Sequence, residues 1–98
     1  MLNEIENYKS KLVKALSDPS FNKIPFLAKE IKKTKTNNKR IFICGNGGSA
    51  ANAMHIANDL IYGAGMKSGI GFNIEALSSN SSVLTCLAND TGYENIFL

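Results

Sequence analysis

The chain of 98 residues carries 11 Lys or Arg against 8 Asp or Glu, one His, two Cys and 44% apolar residues. Its longest apolar run is far short of a membrane span and its start lacks the apolar core of a signal peptide, so a soluble cytoplasmic protein without membrane association is expected. The formal charge of +3 suggests nucleic acid only until it is divided along the chain: residues 1–40 hold ten basic against four acidic side chains, and residues 41–98 hold one against four.

The first helix is expected to begin at Asn3 as N-cap with Glu6 three residues on, and to carry Ile5, Tyr8, Leu12, Ala15 and Leu16 on one side. Ser17-Asp18-Pro19-Ser20 ends it. A second helix is expected from about Phe21 to Lys35, with Pro25 tolerated near its first turn. Its apolar stripe of Ile24, Leu27, Ala28 and Ile31 shares the helix with Lys29, Lys32, Lys33 and Lys35. No aromatic side chains interleave those lysines as stacking platforms would, so the basic charge reads as a solvated helix face and nucleic acid is not an expected partner.

The β-branched and aromatic run Ile41-Phe42-Ile43-Cys44 reads as a strand that ends in the turn Gly45-Asn46-Gly47-Gly48-Ser49. An alanine-rich helix follows at once. The first N–H groups of such a helix lack partners within it, and the helix dipole favours negative charge there, so phosphate is the expected guest. At 100° per residue Ala50, Ala53, Met54, Ala57, Leu60 and Ile61 fall on one side of this helix, and Asn52, His55 and Asp59 on the other. The i, i+4 spacing lets His55 and Asp59 reach one point, as two ligands of one metal ion or as an acid and a base on one substrate.

Four glycines within residues 63–71 predict a mobile connection, in which Lys67 is a weak candidate for a phosphate contact. A second strand is expected around Phe72 to Ala76. Ser78-Ser79-Asn80-Ser81-Ser82 offers N-caps for a helix through Val83, Leu84 and Leu87 that ends near Asn89-Asp90, with Gly92 as C′. Tyr93, Ile96 and Phe97 open a further helical pattern. Cys44 and Cys86 are too far apart for a Cys-x-x-Cys motif and are expected to be reduced and buried.

The turn lacks the Gly-Lys-Ser/Thr of a nucleotide P-loop. Gly45-Asn46-Gly47-Gly48-Ser49-Ala50 does fit G-x-G-x-x-A, with Glu75 as a possible ribose-binding acid, although Glu75 lies beyond the usual spacing of ~20 residues. A dinucleotide-binding half of an oxidoreductase is therefore one alternative.

Three blocks in order, Cys44 to Ser49, Asn52 to Leu60 and Ser82 to Phe97, make the chain resemble the sugar isomerase (SIS) domain family, and within it the phosphoheptose isomerases, also called sedoheptulose 7-phosphate isomerases. The resemblance implies an α/β fold: the N-terminal half of a three-layer αβα, Rossmann-like domain with a parallel sheet, preceded by two helices. It implies an aldose-ketose isomerase that converts sedoheptulose 7-phosphate to D-glycero-D-manno-heptose 7-phosphate for the heptose of bacterial lipopolysaccharide or capsule. Ser49 would help hold the phosphate, Asn46, Gly47 and Gly48 would line the sugar, and Asn89 and Asp90 would contact it. His55 and Asp59 would bind zinc, which polarises the carbonyl, and Asp59 would also transfer the proton. The family has glutamate at the position of Asp59 and completes its metal site with a glutamine and a histidine from a second half of the domain.

The expected organisation is a helical pair over residues 1–38, which would pack between subunits of a homo-oligomer, most simply a tetramer, and the first part of a SIS domain over residues 39–98. Two expected parallel strands make a poor sheet, and the pattern opened at Tyr93 stops with the chain, so the chain is expected to be the N-terminal part of a larger α/β unit and to be without isomerase activity on its own. A non-catalytic SIS module that binds a sugar phosphate is the other alternative.

Overall fold

The computed structural model describes the backbone of residues 1–98 and all side chains except those of Lys67 and Ser68, so the expectation at Lys67 lies outside the described residues. The chain divides into two units, Met1–Lys33 and Thr34–Leu98.

The first unit holds helix α1 (Leu2–Leu16), a 3₁₀ turn (Pro19–Lys23) and most of helix α2 (Ile24–Thr36). Helix α1 starts two residues earlier than Asn3 predicts: Met1 is the N-cap, and its α-amino group pairs with Glu4 at 3.1 Å. Asp18 accepts the N–H of Ser20 at 2.8 Å and Pro19 supplies a fixed φ, so residues 19–23 coil as 3₁₀ and α2 begins at Ile24 rather than Phe21. Pro25 sits at the second position of α2, where its missing N–H costs no helical hydrogen bond. The expected apolar stripes are present, yet no residue of this unit is buried.

The second unit is built on strands β1 (Ile41–Ile43) and β2 (Ile74–Ala76), which pair in parallel with Ile41 opposite Ile74 and Ile43 opposite Ala76. Between them runs α3 (Gly48–Asn58), continued by a π-helical turn (Asp59–Gly63) and α4 (Ala64–Ser68). The glycine-rich stretch is therefore helical up to Ser68 and stops at Gly69, whose left-handed φ of 74° caps it. After β2 come a 3₁₀ turn (Leu77–Ser79), α5 (Ser81–Thr91) capped by the Asn80 side chain on Val83 N–H, and a 3₁₀ turn (Tyr93–Asn95) where a further helix was expected.

Strand alternation decides the core. Ala57, Ile74 and Ala76 form its centre, with Ile41, Ile43, Leu60 and Phe72 packed against it. Alanine at 53 and 57, both buried, lets α3 approach the sheet closely. Phe42 is 57% exposed and Cys44 is exposed on the other face of the strand, which explains why Cys44 is not the buried residue expected. Cys86 is likewise free and exposed, because α5 contributes no buried residue. Among the described residues no helix is long and apolar enough to cross a membrane.

Candidate functional site

The glycine turn joins the end of β1 to the start of α3. At Gly45 an added Cβ would collide with the backbone carbonyl of Ser49 and lie 2.7 Å from its Oγ, so the turn can close only on glycine. Gly47, the N-cap of α3, has φ 55° and ψ −122°, a region that side chains avoid. Ser49 locks the turn: its Oγ accepts the N–H of Asn46 and donates to the Asn46 carbonyl, both at 2.8 Å. The N–H groups of Ser49 and Ala50 donate back to Asn46 and Gly47 at 3.1 Å. Among the described residues, that leaves the N–H groups of Gly47 and Gly48 without partners at the mouth of the helix, where an anion is favoured. Ser49 thus shapes the cradle through the backbone.

A residue the sequence reading did not single out for this task is Ser78. Its Oγ accepts the Gly45 N–H at 3.0 Å and donates to the Gly45 carbonyl at 2.9 Å, tying the turn to the segment after β2. The signal was positional: Ser78 follows the carboxyl end of a parallel strand, where such folds build their ligand crevice.

His55 and Asp59 meet as the i, i+4 spacing requires, with Nδ1 and Oδ2 3.2 Å apart. Both face solvent, at 77% and 62% side-chain exposure. Gly48, Asn52, His55 and Asp59 share one helix face, and the seven residues from Gly48 to His55 rise about 10 Å along the axis. The structure thus sets anion donors and an imidazole-carboxylate pair along one stripe.

The pair fits a metal ion as two donors of the borderline and hard types zinc accepts, whereas a zinc site takes three or four protein ligands. Among the described residues no group of three or more His, Cys, Asp or Glu side chains comes together. His55 and Asp59 by themselves thus offer two donors, fewer than such a site needs.

Asn89 and Asp90 lie in the last turn of α5. Asp90 accepts Asn89 Nδ2 at 2.9 Å and the Cys86 thiol at 3.3 Å, and these bonds, Asn89 first, hold its carboxyl below the usual 3.8. Their hydrogen bonds stay within α5, about 12 Å along its axis from its first residue, Ser81. Glu75 occupies the middle of β2 and pairs with Arg40 at 3.8 Å. A ribose-binding acid belongs at the carboxyl end of its strand, so Glu75 does not serve the dinucleotide alternative.

The profile of the SIS domain family matches residues 5–98. A phosphoheptose isomerase from Geotalea daltonii is 32% identical over 100 residues, covering 99% of this chain and 52% of the relative. One from a Nitratiruptor species is 48% identical over 61 residues, 62% of this chain and 32% of the relative. The solved structure of phosphoheptose isomerase GmhA from Neisseria gonorrhoeae superposes with a TM-score of 0.74 at 29% identity, covering 99% of this chain and 51% of that one. The chain thus spans about half the length of the relatives that it matches along its whole extent. Strand, glycine turn and helix recur here in the order of that fold, with a parallel β1 and β2, and the chain belongs to the SIS domain family.

Proposed function

We propose that the chain supplies the phosphate cradle and the proton-transfer group of a phosphoheptose isomerase, acting on sedoheptulose 7-phosphate in bacterial heptose biosynthesis for lipopolysaccharide or capsule, in the cytoplasm and as a homotetramer. The observation that carries the reading is the shared stripe on α3, with two free N–H donors at one end and His55 beside Asp59 about 10 Å along it. A sugar chain of six or seven carbons, with C–C bonds of about 1.5 Å, spans a comparable length once its phosphate ester is added. Phosphate at Gly47 and Gly48 therefore brings the carbonyl end to the pair. The choice of seven carbons rests on the names of the relatives.

In this reading the Asp59 carboxylate takes a proton from C1 of the ketose and returns it to C2, the proton of the C1 hydroxyl passes to the C2 oxygen, and His55 stands beside the carboxylate with Nδ1 3.2 Å from Oδ2. Zinc, when bound by His55, Asp59 and ligands from outside this chain's described set, would polarise the carbonyl. Asn46 and the glycines line the sugar, and Asn89 and Asp90 contact it.

The test is carbon-bound hydrogen exchange. Sedoheptulose 7-phosphate incubated in D₂O with zinc and the chain joined to the second half of a phosphoheptose isomerase domain should take up deuterium at C1, and Asp59→Asn in that protein should slow this by the ~10²–10⁴-fold typical of general acid-base catalysis. Asp59→Glu should slow it as well, since a carboxylate displaced by ~1 Å costs on the order of 100-fold. Full exchange in Asp59→Asn removes Asp59 from the chemistry. Binding without exchange in the joined parent protein, with a gain in Asp59→Glu, identifies a sugar-phosphate-binding module instead.

A further inference from the structure

Asp59 opens a turn in which the helix widens. The N–H of Ala64 donates to the carbonyl of Asp59, five residues back, and so bypasses Leu60, its partner in a regular α-helix. The freed Leu60 carbonyl is taken from outside the helix by the N–H of Phe72, at 3.1 Å. That bond requires the backbone at residues 71–72 to run directly against the wide turn. A Cβ on Gly71 would collide with the Ile61 carbonyl oxygen and lie 2.9 Å from its carbon. Gly65 faces the same crossing, where an added Cβ would stand 3.2 Å from the Gly71 nitrogen. The side chains repeat the connection, since Leu60 and Phe72 pack on the same core.

Leu60 is thus held twice, by its carbonyl and by its side chain, and it is the residue next to Asp59. The Asp59 carboxylate has no comparable support: it is 62% exposed, and the group beside it is the His55 ring, its Nδ1 3.2 Å from Oδ2 and itself 77% exposed. Its place is set by the backbone on which it stands. We propose that Gly71 is a positioning residue for the Asp59 carboxylate, acting through the Phe72-to-Leu60 hydrogen bond that pins the π-turn. The inference rests on the reading of Asp59 as the proton-transfer group, while the geometry it predicts is testable without substrate.

The experiment uses the full 98-residue chain, with nitrogen-15 spectra of the His55 ring and zinc alone as the probe. In Gly71→Ala the π-turn should lose its pin. The tautomer ratio of the His55 ring, which reports on the carboxylate 3.2 Å from Nδ1 in the parent, should then change, and zinc affinity should fall about 10- to 100-fold, the range seen when support of a metal ligand is removed. Ile96→Ala, which destabilises the buried core elsewhere, should leave both readouts unchanged in the folded chain. Should Gly71→Ala fail to fold, hydrogen exchange in the parent still decides, because the amides of Phe72 and Ala64 must be protected and must open together. Gly71→Ala with an unchanged tautomer and unchanged zinc affinity overturns the proposal, as does a Phe72 amide that exchanges freely. If Gly71→Ala disturbs the pair but Asp59→Asn leaves deuterium uptake intact, the positioning stands and the isomerase reading falls.

Discussion

Asp59 and Asp90 are both exposed carboxylates on helices, yet their surroundings differ. Asp59 has one imidazole beside it, Nδ1 lying 3.2 Å from Oδ2, and both groups stay accessible to a ligand. Asp90 is held by two donors, Asn89 first and then the Cys86 thiol, which favour its charged form and lower its titration. A depressed carboxyl contributes stability that is present above its unfolded value and is lost as pH falls through the folded one. Asp90 should therefore titrate below 3.8 in a carboxyl-carbon NMR titration, and Asn89→Ala should move it back up toward 3.8. An unmoved Asp90 would assign the effect to Cys86 alone. The residue's exposure keeps the consequence for folding small.

At the scale of elements, the glycine turn works because three segments are tied at one point. The end of β1, the start of α3 and the segment after β2 meet at Gly45, which is closed in by Ser49 and bonded on both sides by Ser78. Ser78→Ala deletes both bonds, each worth roughly 0.5–1.5 kcal/mol, and should destabilise the fold by about 1–3 kcal/mol. In urea denaturation the midpoint should drop with the slope unchanged. Phosphate affinity should fall with it, because the Gly47 and Gly48 donors depend on the shape of the turn. Ser49 acts in the same way from the helix side, so its removal is felt first as a loosened turn.

At the scale of the whole chain, the apolar side chains outnumber the places to bury them. Five residues form the buried apolar set, all in the second unit, whereas Ile5, Leu12, Leu16 and Leu27 of the first unit are exposed. Amphipathic helices gain most of their stability from a packed apolar face, so these stripes call for partner surfaces, in line with the proposed assembly of subunits. Leu12→Glu should lower the molecular mass measured by sedimentation toward that of a single chain. A parent chain that sediments as a monomer would remove α1 from any role in assembly.

The periodicity of the sequence placed both strands, the helix after the glycine turn, the convergence of His55 with Asp59 and the apolar side of α3 that packs on the sheet. These properties are local: alternation, a 3.6-residue repeat and an i, i+4 spacing need no information from the rest of the chain. The glycine-rich stretch, expected as a mobile connection, starts as helix because single-residue propensity is overridden by tertiary packing; α4 runs through Gly65 and ends at Gly69, and Gly65 and Gly71 serve a close crossing of backbones. Cys44 and Cys86 were misread as buried because hydrophobicity does not say which face of a strand or helix will be covered. Only the tertiary structure decided that Ser78 clamps Gly45, that Ser49 spends its hydroxyl on Asn46, and that the turn after Asp59 is π-helical and pinned by Phe72. Each joins groups through backbone geometry, and the sequence pattern around them carries no mark of the partner because a backbone N–H or carbonyl is the same at every residue.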